Sequence, residues 1–297
     1  MEPCPKCSAD LPSTDLLECP TCGVILAKAI PREIAERRRT TQRIRRQGRA
    51  TGAEGPATAV SARQAMVVGT VLAVLIYAVP FTRFVLSYLA ILVHELGHAA
   101  IGILFGYPSF PSFDFIYGGG ITLYFGRSTA LLFVVGLGWV ALVWGLRRWR
   151  GWMLLAGCLG GLWLLFAMTD LHDIALNVSG HGAELLFGVF AFTKVFSGNV
   201  RVGAERWLYA MCGSFVVISA WVFALRLMES EQARAEYGAA KGGGHWMDMS
   251  RLSRNLDLDL TQVAVLYWLA SAAVPAIAYL IWLNRSKILR LMAGRAV

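Results

Sequence analysis

Six apolar stretches dominate this chain, at about 64–82, 84–106, 128–146, 151–169, 207–228 and 260–283. Several come close to the roughly 20 residues that a helix needs to cross a hydrocarbon layer of about 30 Å. A soluble domain could not bury so many. Composition agrees, since 56% of the 297 residues are hydrophobic and only 16% are charged. The expected fold is therefore an all-α polytopic membrane protein with about six transmembrane helices. Pro80 and Arg83 part the first two stretches, which are expected to form a tight helical hairpin. No apolar run follows Met1, so no secretory signal peptide is expected and an internal helix must start membrane entry.

The net charge of +9 is unevenly placed. Nine Lys or Arg residues lie between Lys28 and Arg49 against only Glu33 and Glu36, and the run stops just before the first apolar stretch. That position fits a juxtamembrane segment held against anionic lipid on the cytoplasmic side better than a nucleic-acid-binding arm. Six crossings would put the N-terminus and the NRSKILRLMAGR tail in the cytoplasm of a multi-pass protein of a prokaryotic plasma membrane. The same count leaves Arg147, Arg148 and Arg150 outside, against the usual bias.

Ahead of the basic run stand Cys4, Cys7, Cys19 and Cys22, as CPKC and CPTCG with eleven residues between. Two CxxC knuckles can close a tetrahedral thiolate site, and Gly23 suits the turn after the second. The pattern resembles a small zinc ribbon, which would hold one structural Zn2+, need its metal to fold, and serve to dock a protein partner. Cys158 and Cys212 stand alone in apolar runs and read as packing residues. The expected organisation is a ribbon over 1–26, a basic helix and linker over 27–63, a membrane core over 64–228, a polar loop over 229–259, and a last helix with a basic tail over 260–297.

The second apolar stretch carries HELGH: His94, Glu95 and His98. No other Asp, Glu, Lys, Arg or His occurs from Phe84 to Gly106. Charged groups at membrane depth are costly and mark function. On a helix, histidines four apart share a face and can bind one ion, while Glu95 beside them can activate a zinc-bound water and move its proton. Without a metal, all three would need buried partners. Gly97 and Gly102 would let another backbone come close.

A zinc centre needs a third protein ligand. The polar break MTDLHDIALNVSGHGAELLF offers Asp170, His172, Asp173, His181 and Glu184. An aspartate is favoured slightly over His172 or His181, and the unused groups would orient the ligating imidazoles. The plainer reading of this break is a capped helix end with Asn177 and Ser179 in a turn. His245, in a GGGHW loop, reads as solvent-facing. From Tyr107 to Phe125 two prolines, three consecutive glycines and an ITLYF end predict a hairpin or a partly re-entrant sheet. Its edge could accept an extended substrate; an aromatic interfacial loop is the alternative.

HELGHAA in an apolar helix, followed by a Gly-rich strand-like insertion, resembles the site-2 protease family of intramembrane zinc metalloproteases over about residues 66–228. The resemblance implies hydrolysis of membrane-anchored protein substrates in or beside the lipid bilayer. It also implies one catalytic Zn2+ on His94 and His98, with Glu95 as the catalytic residue. The family's third ligand is an aspartate, commonly in an LDG motif, which is absent here; TDLHD is the nearest material, so Asp170 or Asp173 would replace it. Two other functions compete. One is a zinc hydrolase of another amide or ester; the other is a non-proteolytic adaptor using the ribbon to bind a partner.

Overall fold

The computed structural model describes residues 3–4, 6–10, 18–23, 25, 61–113, 119–239 and 247–292. The expected basic helix over 27–49, most of the linker, and His245 lie outside them. The chain divides into two compact units, Met1–Pro56 and Ala57–Val297. In the first, Cys4 and Cys19 are buried and all four cysteine sulfurs cluster within 4.8 Å of one another. Ser8 and Gly23, each following the second cysteine of a knuckle, take left-handed backbone with φ of 59° and 67°. Their amides donate to the carbonyls of Cys4 and Cys19. Each knuckle therefore closes on itself.

The second unit holds nine α-helices, one 3-10 turn (Leu146–Arg148) and one strand pair among its described residues. In order these are α1 (Ala62–Ala78), α2 (Pro80–Leu104), β1 (Ser109–Phe113), β2 (Gly120–Tyr124), α3 (Thr129–Gly145) and α4 (Arg150–Met168). There follow α5 (Leu171–Ser197), α6 (Gly203–Glu229), α7 (Glu231–Gly238), α8 (Asp248–Leu256) and α9 (Leu260–Met292). Six helices are long and apolar enough to cross a membrane: α2, α3, α4, α5, α6 and α9. The number agrees with the sequence reading, but the set differs. The 64–82 stretch becomes the 17-residue α1, which falls short, and α5 takes its place. Asn177 and Ser179 are buried helix residues, not turn residues.

Helix α3 shows why lipid is required. None of its residues is buried, yet it is apolar on every side, with Phe133, Val140 and Trp144 each more than two-thirds exposed. Such a helix has no stable place in water. Cys158 on α4 is likewise exposed rather than packed, whereas Cys212 on α6 is buried.

Small residues bring the inner helices together. Ala65, Gly69 and Ala73 form the buried stripe of α1, and a Cβ on Gly69 would strike Ala210 of α6. Ser61 and Gln64 close a capping box at the start of α1. Only Val79 separates α1 from α2, and Pro80 fills the first turn of α2, where a missing N–H costs nothing. Gly97 lets α2 approach the backbone of Ser179 on α5. The carbonyls at the end of α2 are taken by Trp163 (Nε1 to Leu104 O, 2.9 Å) and Arg127 (Nε to Phe105 O, 3.2 Å). At the end of α5, buried Arg206 donates to Val195 O at 2.8 Å.

The Tyr107–Phe125 insertion contains an antiparallel pair, with Ser109 opposite Tyr124 and Phe113 opposite Gly120. It lies against α2, where Gly102 faces Ser109 and Tyr124. The expected polar loop over 229–259 instead carries α7 and α8. Met249 of α8 is buried with Leu227, Val263 and Tyr267, while Ser250 Oγ donates to Tyr237 O. Helix α8 is thereby seated against α5 and α9.

Candidate metal centre

Helix α2 projects His94 and His98 toward α5, and Glu95 and His98 are each only 6% exposed. His98 Nδ1 donates to Leu176 O at 2.9 Å, with Ser179 Oγ at 3.0 Å. His94 Nδ1 donates to Glu184 Oε1 at 3.1 Å. Both imidazoles then carry their lone pair on Nε2, and these two atoms lie 3.1 Å apart. Asp248, the first residue of α8, places Oδ2 at 2.9 Å from His94 Nε2 and 2.8 Å from His98 Nε2. Two lone pairs and a carboxylate oxygen thus converge on one point, an arrangement that a cation satisfies. A Cβ on Gly180 would run into both Nε2 atoms, so only glycine leaves that space open.

Burial alone would raise the Asp248 carboxyl; with no cation at the centre, protonated His94 and His98 would donate to it and, with their charges, hold it well below the usual carboxylate range. Burial pushes the Tyr237 phenol up, and the nearby Asp248 charge adds to that. Glu184 also accepts from Tyr267 OH at 2.7 Å and from His181 Nδ1 at 3.2 Å. It is held from three sides and fixes the His94 ring, as carboxylates behind ligating histidines do. His94, His181 and Glu184 form a second group close enough to hold an ion. The hydrogen bonds already explain that group.

Glu95 faces the strand pair. Thr122 Oγ1 donates to Glu95 Oε2 at 2.6 Å, and Gly120 leaves room for Oε1, which a Cβ there would strike. Both histidines, Glu95, Glu184, Asp248 and Thr122 line one cavity of about 1450 Å³, whose wall includes the whole of β2 and part of α8. Burial, with the charges of Asp248 and Glu95, pushes the Tyr124 phenol up, while Arg251 opposes them.

Of the third-ligand candidates, Asp170, His172 and Asp173 are not brought to His94 and His98. They occupy the first turn of α5, whereas the α2 histidines meet α5 at Leu176, Ser179 and Gly180. Ten residues separate Asp170 from Gly180, about 15 Å along a helix. Asp170 caps α5 through its carbonyl, which accepts from Asp173 N. His172 donates to Thr169 O at 2.6 Å and accepts from Tyr107 OH at 3.1 Å, tying the insertion to α5. Asp173 lies at the cavity wall. His181 is brought to His94: the two rings meet edge to face with centroids 4.6 Å apart, and Glu184 accepts from both.

Sequence reasoning passed over Asp248 because 229–259 read as loop. The usable signal was the helical spacing of Met249 and Leu252, which pack on the bundle while Leu256 stays exposed. An apolar stripe so spaced must sit on the protein, and it carries Asp248 with it.

Comparison with protein-family models, curated proteins and solved structures finds no match, so the functional reading rests on this geometry.

Proposed function

We propose that the chain is a zinc-dependent intramembrane endopeptidase acting on membrane-anchored protein substrates. One observation carries the reading: His94, His98 and Asp248 converge on one point beside Glu95 inside a bundle of apolar helices. Nitrogen and oxygen ligands about 2.0–2.1 Å from a tetrahedral ion stand about 3.3 Å apart, close to the observed 2.8–3.1 Å. Zinc bound there would polarise a peptide carbonyl and acidify water.

The residues divide the remaining work. Glu95 accepts a proton from the attacking water on Oε1 and returns it to the leaving amine, while Thr122 holds Oε2. Gly180 and Gly120 keep space for the reacting groups. An extended peptide could pair along β2, which fixes its backbone without restricting its sequence. The two strands pair with each other along α2, which satisfies backbone groups that membrane depth would otherwise leave unpaired.

The four cysteines form a second zinc site. Sγ separations of 3.7 and 3.9 Å match the roughly 3.8 Å expected for tetrahedral Zn–S bonds of about 2.3 Å. Its role in this reading is to dock a protein partner on the cytoplasmic side.

The test uses full-length protein and a membrane-anchored peptide reporter. Wild type should bind two zinc ions per chain and cut the reporter. Glu95→Gln should keep both ions and lose cleavage; His94→Ala should keep one. Cleavage that persists in Glu95→Gln, or a single zinc in wild type, would overturn the reading.

A further inference from the structure

Helix α8 does more than supply Asp248. Asp248, Arg251, Arg254 and Asn255 recur at helical spacing and all line the cavity that β2 also lines. The other face of α8 is anchored, with Met249 buried and Leu252 packed against the same cluster. Ser253 Oγ also donates to Leu258 O at 2.6 Å, tying down the end of the helix. The polar face is therefore held toward the cavity, and Arg251 stands one turn beyond Asp248.

The charges around it are already matched. Asp248 is taken by His94 and His98, Glu184 by His94, His181 and Tyr267, and Glu95 by Thr122. Arg254 Nε donates to Ser250 O at 3.2 Å. No ion pair within 4.0 Å involves Arg251 among the described residues. Its guanidinium is a planar fork suited to a carboxylate, and it borders the channel that a peptide along β2 would occupy.

We propose that Arg251 anchors a carboxylate of the substrate, so that the site selects peptides with an acidic group near the bond presented to Glu95. This deepens the endopeptidase reading and rests on it. The carboxylate can belong to an Asp or Glu side chain or to a free C-terminus. Both offer two oxygens to the same fork.

The test measures binding, not turnover. Full-length Glu95→Gln protein in phosphatidylcholine nanodiscs is titrated with fluorescent peptides sharing one apolar segment. Three are amidated and differ by Asp, Asn or Lys at the flanking position; the fourth has Asn and a free C-terminus. The Asp or the free-carboxylate peptide should bind about tenfold tighter than the amidated Asn peptide. Adding Arg251→Gln should erase that difference with zinc content unchanged, and Arg251→Lys should keep part of it. The proposal fails if acidic and neutral peptides bind alike, if neither binds, or if the preference survives Arg251→Gln. It also fails if Arg251→Gln weakens phosphatidylglycerol binding while peptide binding stays the same, because the site then belongs to lipid. Failure of the endopeptidase reading looks different: the acidic peptide binds selectively, yet protein with Glu95 intact never cuts it.

Discussion

Asp248 Oδ2 lies 2.8 Å from His98 Nε2, although 150 residues separate the two in the chain. The contact joins the first residue of a nine-residue helix to the C-terminal half of the long apolar helix α2. Neither element could form the centre alone.

Substituting Asp248 with alanine should therefore remove the core metal. Elemental analysis of full-length protein is expected to fall from two zinc ions per chain to one. Asp170→Ala and Asp173→Ala should retain both. Loss of zinc in Asp170→Ala with retention in Asp248→Ala would reverse the assignment.

Gly180→Ala inserts a methyl group between the two imidazole Nε2 atoms. Core zinc should be lost while the bundle stays folded. Gly182→Ala is the control, since the nearest atom to its added carbon is Val178 Cγ1 at 3.8 Å. Zinc content and thermal unfolding, measured together, separate loss of the metal from loss of the fold.

Thr122 tests the link between the strand pair and the base. Thr122→Val removes the hydrogen bond to Glu95 Oε2 and should lower kcat roughly tenfold, with KM and zinc content little changed. Thr122→Ser should recover most of the loss. A rise in KM alone would assign Thr122 to substrate binding instead.

The ribbon has its own pH signature. The Cys7 backbone amide lowers the Cys4 thiol from its ordinary 9.0 to about 6, and the Thr21 and Cys22 amides outweigh burial to lower Cys19. A lowered pKa keeps the thiolate available above that value, and protonation competes only below it. With cobalt(II) in the ribbon, the sulfur-to-cobalt absorption should persist from pH 8 to about 6 and fade below. Fading already between pH 9 and 8 would contradict the lowered thiol.

Much of this was legible in the order of residues. The period of four between His94 and His98 puts both on one face of any helix, so their pairing needs no tertiary information. The apolar runs required lipid, and the Gly- and Pro-rich insertion excluded a helix. The third ligand was not legible in the same way. TDLHD lies in sequence where a ligand was expected, but α5 meets α2 about one to three turns later, at Leu176–Gly180. Helix α5 itself was hidden because its polar residues face the site while its opposite side meets apolar surroundings. An average over such a segment resembles a break.

Residue order is enough to place two histidines and an adjacent carboxylate on one long apolar helix, because local helical geometry brings those groups together. That Asp248 meets both imidazoles, that Glu184 accepts from His94, and that Thr122 donates to Glu95 emerges only once the chain has folded. Those contacts depend on how α5, α8 and β2 pack around α2, and packing among distant segments is set by small-residue approaches and buried apolar faces rather than by spacing along the chain.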